Sequence, residues 1–187
     1  MAKVFRAAEM MSEDVQSYVI SCQYQDGTQK DAPIADGSFV KLGELKPDKT
    51  YSEEGDKDYN VYLAAAPTAV TDEVVVIDYP GVSEGAISGN SYRIGVKLFD
   101  LVAPAGRPVR ARRLALHDRF WLGEGNFNGA VVVGNIAGLE ANKTTLKDSG
   151  AQTIVEGQLN VKIHLGKDFN YGQSANGKLY LCEVVGL

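Results

Sequence analysis

Apolar residues in this chain recur at every second position, in short runs cut by glycine, asparagine, aspartate and proline. That rhythm suits strands and leaves no room for long helices. In QLNVKIHL (Gln158 to Leu165), Leu159, Val161, Ile163 and Leu165 share one face while Asn160, Lys162 and His164 share the other. A strand buried on one side carries this pattern. The same reading predicts strands in VQSYVIS (Val15 to Ser21), SFVKL (Ser38 to Leu42), YNVYLAA (Tyr59 to Ala65), EVVVIDY (Glu73 to Tyr79) and YRIGVKLF (Tyr92 to Phe99). It continues in RPVRARRLAL (Arg107 to Leu116), RFWLG (Arg119 to Gly123), AVVVGN (Ala130 to Asn135) and KLYLCEVV (Lys178 to Val185). Twenty glycines supply the turns between such runs.

Only RAAEMMSEDV (Arg6 to Val15) has a helix-favouring composition, and it is short; an extended ordered arm is the alternative. The expected fold is therefore all-β, a barrel or sandwich-like body or two small β lobes, with an extended or partly helical N-terminal arm. The expected segments are an arm over 1–35, a β lobe over 36–80 and a C-terminal β domain over 91–187. PGVSEGAISGN (Pro80 to Asn90) reads as the loop between the two β segments.

With 187 residues, 44% of them hydrophobic, the chain can bury a core without staples. Cys22 and Cys182 stand 160 positions apart inside apolar runs, so both are expected to be reduced and buried. No run of 18 apolar residues occurs, and the first residues lack a secretory h-region, which points to a protein made and used, or assembled, inside a cell.

The motifs that would signal chemistry are incomplete. GVSEG (Gly81 to Gly85) fits the nucleophile elbow and follows a strand-like run, but GAISGNSY after it cannot continue as the required helix, so Ser83 reads as a turn residue. His117 and His164 are the only histidines and cannot build a zinc site with two scattered cysteines. Glu53, Glu54, Asp56 and Asp58 lack the order of a calcium loop. No phosphate-binding or dinucleotide fingerprint is present. We therefore expect no catalytic residues, no cofactor and no metal.

What stands out is a cluster of charge. Five of seven arginines, Arg107, Arg110, Arg112, Arg113 and Arg119, lie between Pro104 and Leu122, a window of net charge +4 that leaves −9 on the remainder of a chain whose net is −5. On a strand, Arg110 and Arg112 share one face with Val109 and Ala111 on the other. Arg113 breaks the alternation before Leu114, which a bulge at Arg112 and Arg113 would explain. Guanidinium groups so close repel unless acid meets them. That acid can belong to this protein, to a partner protein or to a nucleic acid. The last is disfavoured by the acidic remainder, although Phe120 and Trp121 could stack bases.

LVAPAGRPVRARRLALHDRFWLGEGNF, then GLEANKTTL and the closing GKLYLCEVVGL, resemble the head decoration or cement proteins of tailed bacteriophages and prophages of Gram-positive hosts. The resemblance covers the C-terminal half, from RIGVKLFDL onward. It implies a non-enzymatic virion protein, assembled in the host cytoplasm, that docks as an oligomer on the outside of the major capsid protein shell. Arg107, Arg110, Arg112, Arg113, Arg119 and Trp121 are the residues expected at that interface. A single-stranded nucleic-acid-binding barrel and a carbohydrate-binding phage module remain the rival readings.

Overall fold

The computed structural model describes residues 3–46, 61–79, 101–170 and 176–187, and within them the protein is all-β. Thirteen strands are described: β1 (Phe5–Glu9), β2 (Val19–Tyr24), β3 (Ile34–Ala35), β4 (Phe39–Leu45), β5 (Val61–Ala65), β6 (Val74–Ile77), β7 (Val102–Ala103), β8 (Val109–Arg113), β9 (Arg119–Gly123), β10 (Ile136–Leu139), β11 (Leu146–Asp148), β12 (Asn160–Asn170) and β13 (Asn176–Gly186). They form a closed barrel in the order β2-β5-β4-β6-β8, a six-stranded sheet in the order β1-β9-β13-β12-β10-β11, and a small β3-β7 ribbon. A five-stranded barrel has a narrow interior, and small or branched side chains fill it: Cys22, Val40, Ala64, Val75, Val109 and Ala111.

The second core lies where the barrel wall meets the six-stranded sheet. Phe39, Val74 and Val76 leave the barrel on its outer side and join Phe5, Phe120, Leu122, Cys182 and Val184. Phe120 anchors this contact, with ring centroids 5.6 Å from Phe5 and 6.5 Å from Phe39. This dual burial accounts for the unbroken run Val74–Ile77, in which all four residues are buried: two face the barrel interior and two the sheet.

Sheet membership cuts across the sequence segments 1–35, 36–80 and 91–187. β1 pairs with β9 in the six-stranded sheet, β2 enters the barrel, and β8 closes that barrel between β6 and β2. The described strands of 36–80 supply only β4, β5 and β6 to the barrel, so closure draws on strands from both sides in sequence.

Several local expectations need correction. In the segment Arg6 to Val15 the extended alternative holds at the start and helix is confined to one turn: Phe5–Glu9 is strand β1 and Met11–Asp14 is helical, because pairing with β9 outweighs a weak propensity. Val15 to Ser21 begins with a 3₁₀ turn over Gln16–Tyr18, and the strand starts at Val19. Ala130 to Asn135 is not a strand; it follows the positive-φ Gly129 and contains the positive-φ Gly134, and the strand begins at Ile136.

There is no bulge at Arg112 and Arg113. Arg112 pairs in register with Val19 and Val76, and Arg113 with Val75. In β12 the expected facing holds for Val161 and Ile163 but fails at both ends. Asn160 is buried, its side chain bonded to the Val155 N–H and to the Val155 and Gln158 carbonyls. At the other end the register shifts between Ile163 and Leu165, and Leu165 is 50% exposed. Both cysteines are buried and unbridged. The strand expected at Tyr92 to Phe99, the loop Pro80 to Asn90 with Ser83, and the carboxylates at 53–58 lie outside the described residues.

Candidate interaction surface

The six residues expected at the interface do not form one patch. Arg110, Arg112 and Arg113 belong to barrel strand β8, whereas Arg119 and Trp121 belong to β9 of the other sheet. Arg107 lies exposed in the turn between β7 and β8.

On β8 the strand period sends Val109 and Ala111 into the barrel and Arg110 and Arg112 outward. Asp78, directly after β6, receives both: Arg112 Nε donates to its Oδ2 at 2.5 Å, and Arg110 Nη2 lies 2.8 Å from the same oxygen. Ser12 Oγ accepts a further bond from Arg112 Nη1 at 3.0 Å. Arg113 reaches Glu73 at 2.8 Å. The repulsion inherent in this strand is thus relieved by the protein's own acids.

A buried carboxylate sits behind this group. Asp36 accepts the Phe5 N–H at 2.8 Å on one oxygen and the Tyr79 N–H at 2.9 Å on the other, joining the start of β1 to the end of β6. Burial pushes its carboxyl up to about 7, against the lowering effect of those two N–H groups, and nearby Asp78 adds to the rise. Asn126 completes the joint by donating to the Asp36 carbonyl and accepting the Val4 N–H.

The outer face of the six-stranded sheet has a different character. On β9, Phe120 and Leu122 point into the core, so Arg119 and Trp121 point out. Cross-strand register then builds two rows. In the first, Arg6 of β1, Trp121 of β9, Leu181 of β13 and Leu165 of β12 stand side by side. In the second, Glu9, Arg119, Glu183 and Lys162 alternate in charge. Lys167 Nζ lies 4.0 Å from the Trp121 ring centre, a cation–π contact at the edge of the first row.

Glu183 is the hub of the charged row. His164 Nε2 lies 2.7 Å from its Oε2, His117 Nδ1 3.1 Å from its Oε1, and Arg119 Nε 3.5 Å from Oε2. The His117 hydrogen bond holds the Glu183 carboxyl below the usual carboxylate range, opposed by burial and aided by His164 and the Arg119 charge. Among the described residues no group of three or more histidine, cysteine or acidic side chains is arranged to hold a metal ion.

Sequence reasoning missed Lys167, Leu165, Leu181 and Glu183, and it weighed His117 and His164 only as metal or triad candidates. The alternation of KLYLCEVV does put Leu181 and Glu183 opposite Cys182 and Val184, so half of the surface was visible there. No known protein family, curated protein or solved structure matches this chain.

Proposed function

We propose that this chain is a structural virion protein that docks on the major capsid protein shell through the outer face of its six-stranded sheet and stabilises the phage head. It acts there as an oligomer on the capsid exterior, as the sequence resemblance implies. The observation that carries this reading is the row Arg6–Trp121–Leu181–Leu165. It sets an aromatic and two aliphatic side chains side by side with cations at its margin, on the sheet face opposite the core, where Leu165 is exposed and Trp121 and Leu181 are half-buried. Aromatic and arginine side chains are enriched where protein partners meet and supply most of their binding energy. The arginines of β8 favour this reading over nucleic acid, since Asp78 and Glu73 already neutralise charge that phosphate would need.

The test is cosedimentation of purified protein with capsid shells that lack it. Saturable binding is expected, with Trp121→Ala and Leu165→Ala each weakening it about tenfold or more while the melting transition stays close to wild type. Protein that ignores shells yet retains single-stranded DNA in about 0.15 M salt would replace this reading with a nucleic-acid one.

A further inference from the structure

Two irregularities of the backbone deliver the chain's only two histidines to one carboxylate. His117 holds a left-handed conformation, φ +71°, in the turn before β9, where its N–H donates to the Val184 carbonyl at 2.8 Å. A non-glycine residue in that region is strained, although histidine is one of the types enriched there. His164 sits at the β12 irregularity, where Ile163 pairs with Cys182 and Leu165 with Leu181, so one residue of β13 faces two of β12. Such a bulge re-aims side chains. This one turns Leu165 outward into the apolar row and leaves His164 beside Glu183.

We propose that His117, Glu183 and His164 form a proton-operated element that strengthens the hold of this face on an acidic partner surface in mild acid and relaxes it in mild alkali. The inference rests on the docking role assigned to this face.

The charges that face the cluster can be counted element by element. β1 brings Glu9, β9 brings Arg119, β13 brings Glu183 itself and β12 brings Lys162. The turn before β9 adds Asp118, whose buried carboxylate is turned to the Met11 and Ala115 N–H groups; protonating both imidazoles adds two positive charges to this set. Imidazole is the side chain that changes charge in the physiological range. Both rings lie against Glu183 on the outward face, next to the Trp121–Leu181–Leu165 row, so the added charge appears where the partner is met. An acidic partner surface gains two attractive contacts, and the apolar row supplies a base affinity that does not titrate.

The experiment compares binding at pH 5.5 and pH 8.0 at fixed ionic strength, for the wild-type chain and for a His117→Asn, His164→Gln double variant. Asparagine tolerates the left-handed conformation of residue 117, and circular dichroism checks that the variant folds. Two probes are used: capsid shells lacking the protein, and immobilised poly-L-glutamate, which stays largely ionised at both pH values. The wild-type chain should bind each probe about three- to tenfold more tightly at pH 5.5, as expected for two exposed charge contacts. The double variant should lose most of that difference on each.

Shell binding with no pH dependence, or with a dependence the double variant keeps, overturns the proton-operated element and leaves the docking role standing. Absence of shell binding at both pH values overturns the docking role, and poly-L-glutamate then decides the element alone: retention at pH 5.5 that vanishes in the double variant supports it, and equal retention of the two proteins overturns it.

Discussion

Arg112 and Asp78 form an ion pair nearly closed to solvent, with 12% and 11% of their side chains exposed and 2.5 Å between Nε and Oδ2. The neighbouring Arg110 meets the same oxygen with 42% of its side chain exposed. Removing one member of a desolvated pair strands the other, whereas an exposed pair contributes little. Arg112→Ala should therefore destabilise the fold by about 2–4 kcal/mol and Arg110→Ala by less than about 1 kcal/mol, read from urea unfolding at neutral pH. Equal costs for the two would contradict the partition described here.

Asp36 makes stability depend on pH in a defined direction. Its folded-state carboxyl stands at about 7, above the ordinary value near 4, so ionising it costs the folded state. Its stabilising contribution is complete below about pH 4 and is lost as pH rises to about 7, with a slope of up to about 1.4 kcal/mol per pH unit. Urea midpoints measured from pH 5 to 7.5 should fall, and Asp36→Asn should flatten the trend. Glu183 acts oppositely in a separate window: its lowered carboxyl contributes above the ordinary carboxylate value and that contribution disappears as acid protonates it.

The joint between β1 and the barrel depends on Asn126 and Gly37. Asn126 is buried and bonds to both the Val4 N–H and the Asp36 carbonyl, so Asn126→Ala leaves two buried groups unsatisfied and should cost about 2–4 kcal/mol. Gly37 has φ +70°, and a methyl group there would stand 2.5 Å from Asn126 Nδ2. Gly37→Ala should accordingly destabilise by about 1–3 kcal/mol, from backbone strain together with the clash. Hydrogen exchange in both variants should rise first at residues 5–9; uniform loss of protection would argue that β1 is not held separately.

Both cysteines should be inert in the native state. Burial pushes the Cys22 thiol up to about 12 and the Cys182 thiol further still, which leaves almost no thiolate at pH 8. A thiol reagent should modify neither within the time it takes to modify both in urea. Fast reaction of one equivalent in native buffer would show that an apolar strand opens without global unfolding.

Much of the secondary structure is legible in the sequence because side-chain period is local. Residues 39–42, 61–65, 74–77, 119–123 and 178–185 all lie in strands where alternation or an apolar run announces them. Arg6 to Glu9 was not legible, since their intrinsic preference is helical and only the open side of β9 makes them a strand. The exposed pair Val132 and Val133 misled for a related reason: apolar composition says nothing about which residues find a core.

The sequence by itself determined an all-β chain, buried unpaired cysteines and the crowding of arginine on two strands consecutive in sequence, because each follows from composition and a two-residue period. Only the tertiary structure decided what those arginines meet and which residues share a surface. Asp78 lies 34 positions from Arg112 and Glu183 lies 66 from His117, and a period carries no information about partners so distant. The bulge at His164 is equally invisible in a regular alternation, yet one extra residue there reverses the facing of Leu165 and assembles the outer row. Local chemistry sets which way a side chain can point relative to its neighbours, whereas burial of two cores sets which strands lie side by side.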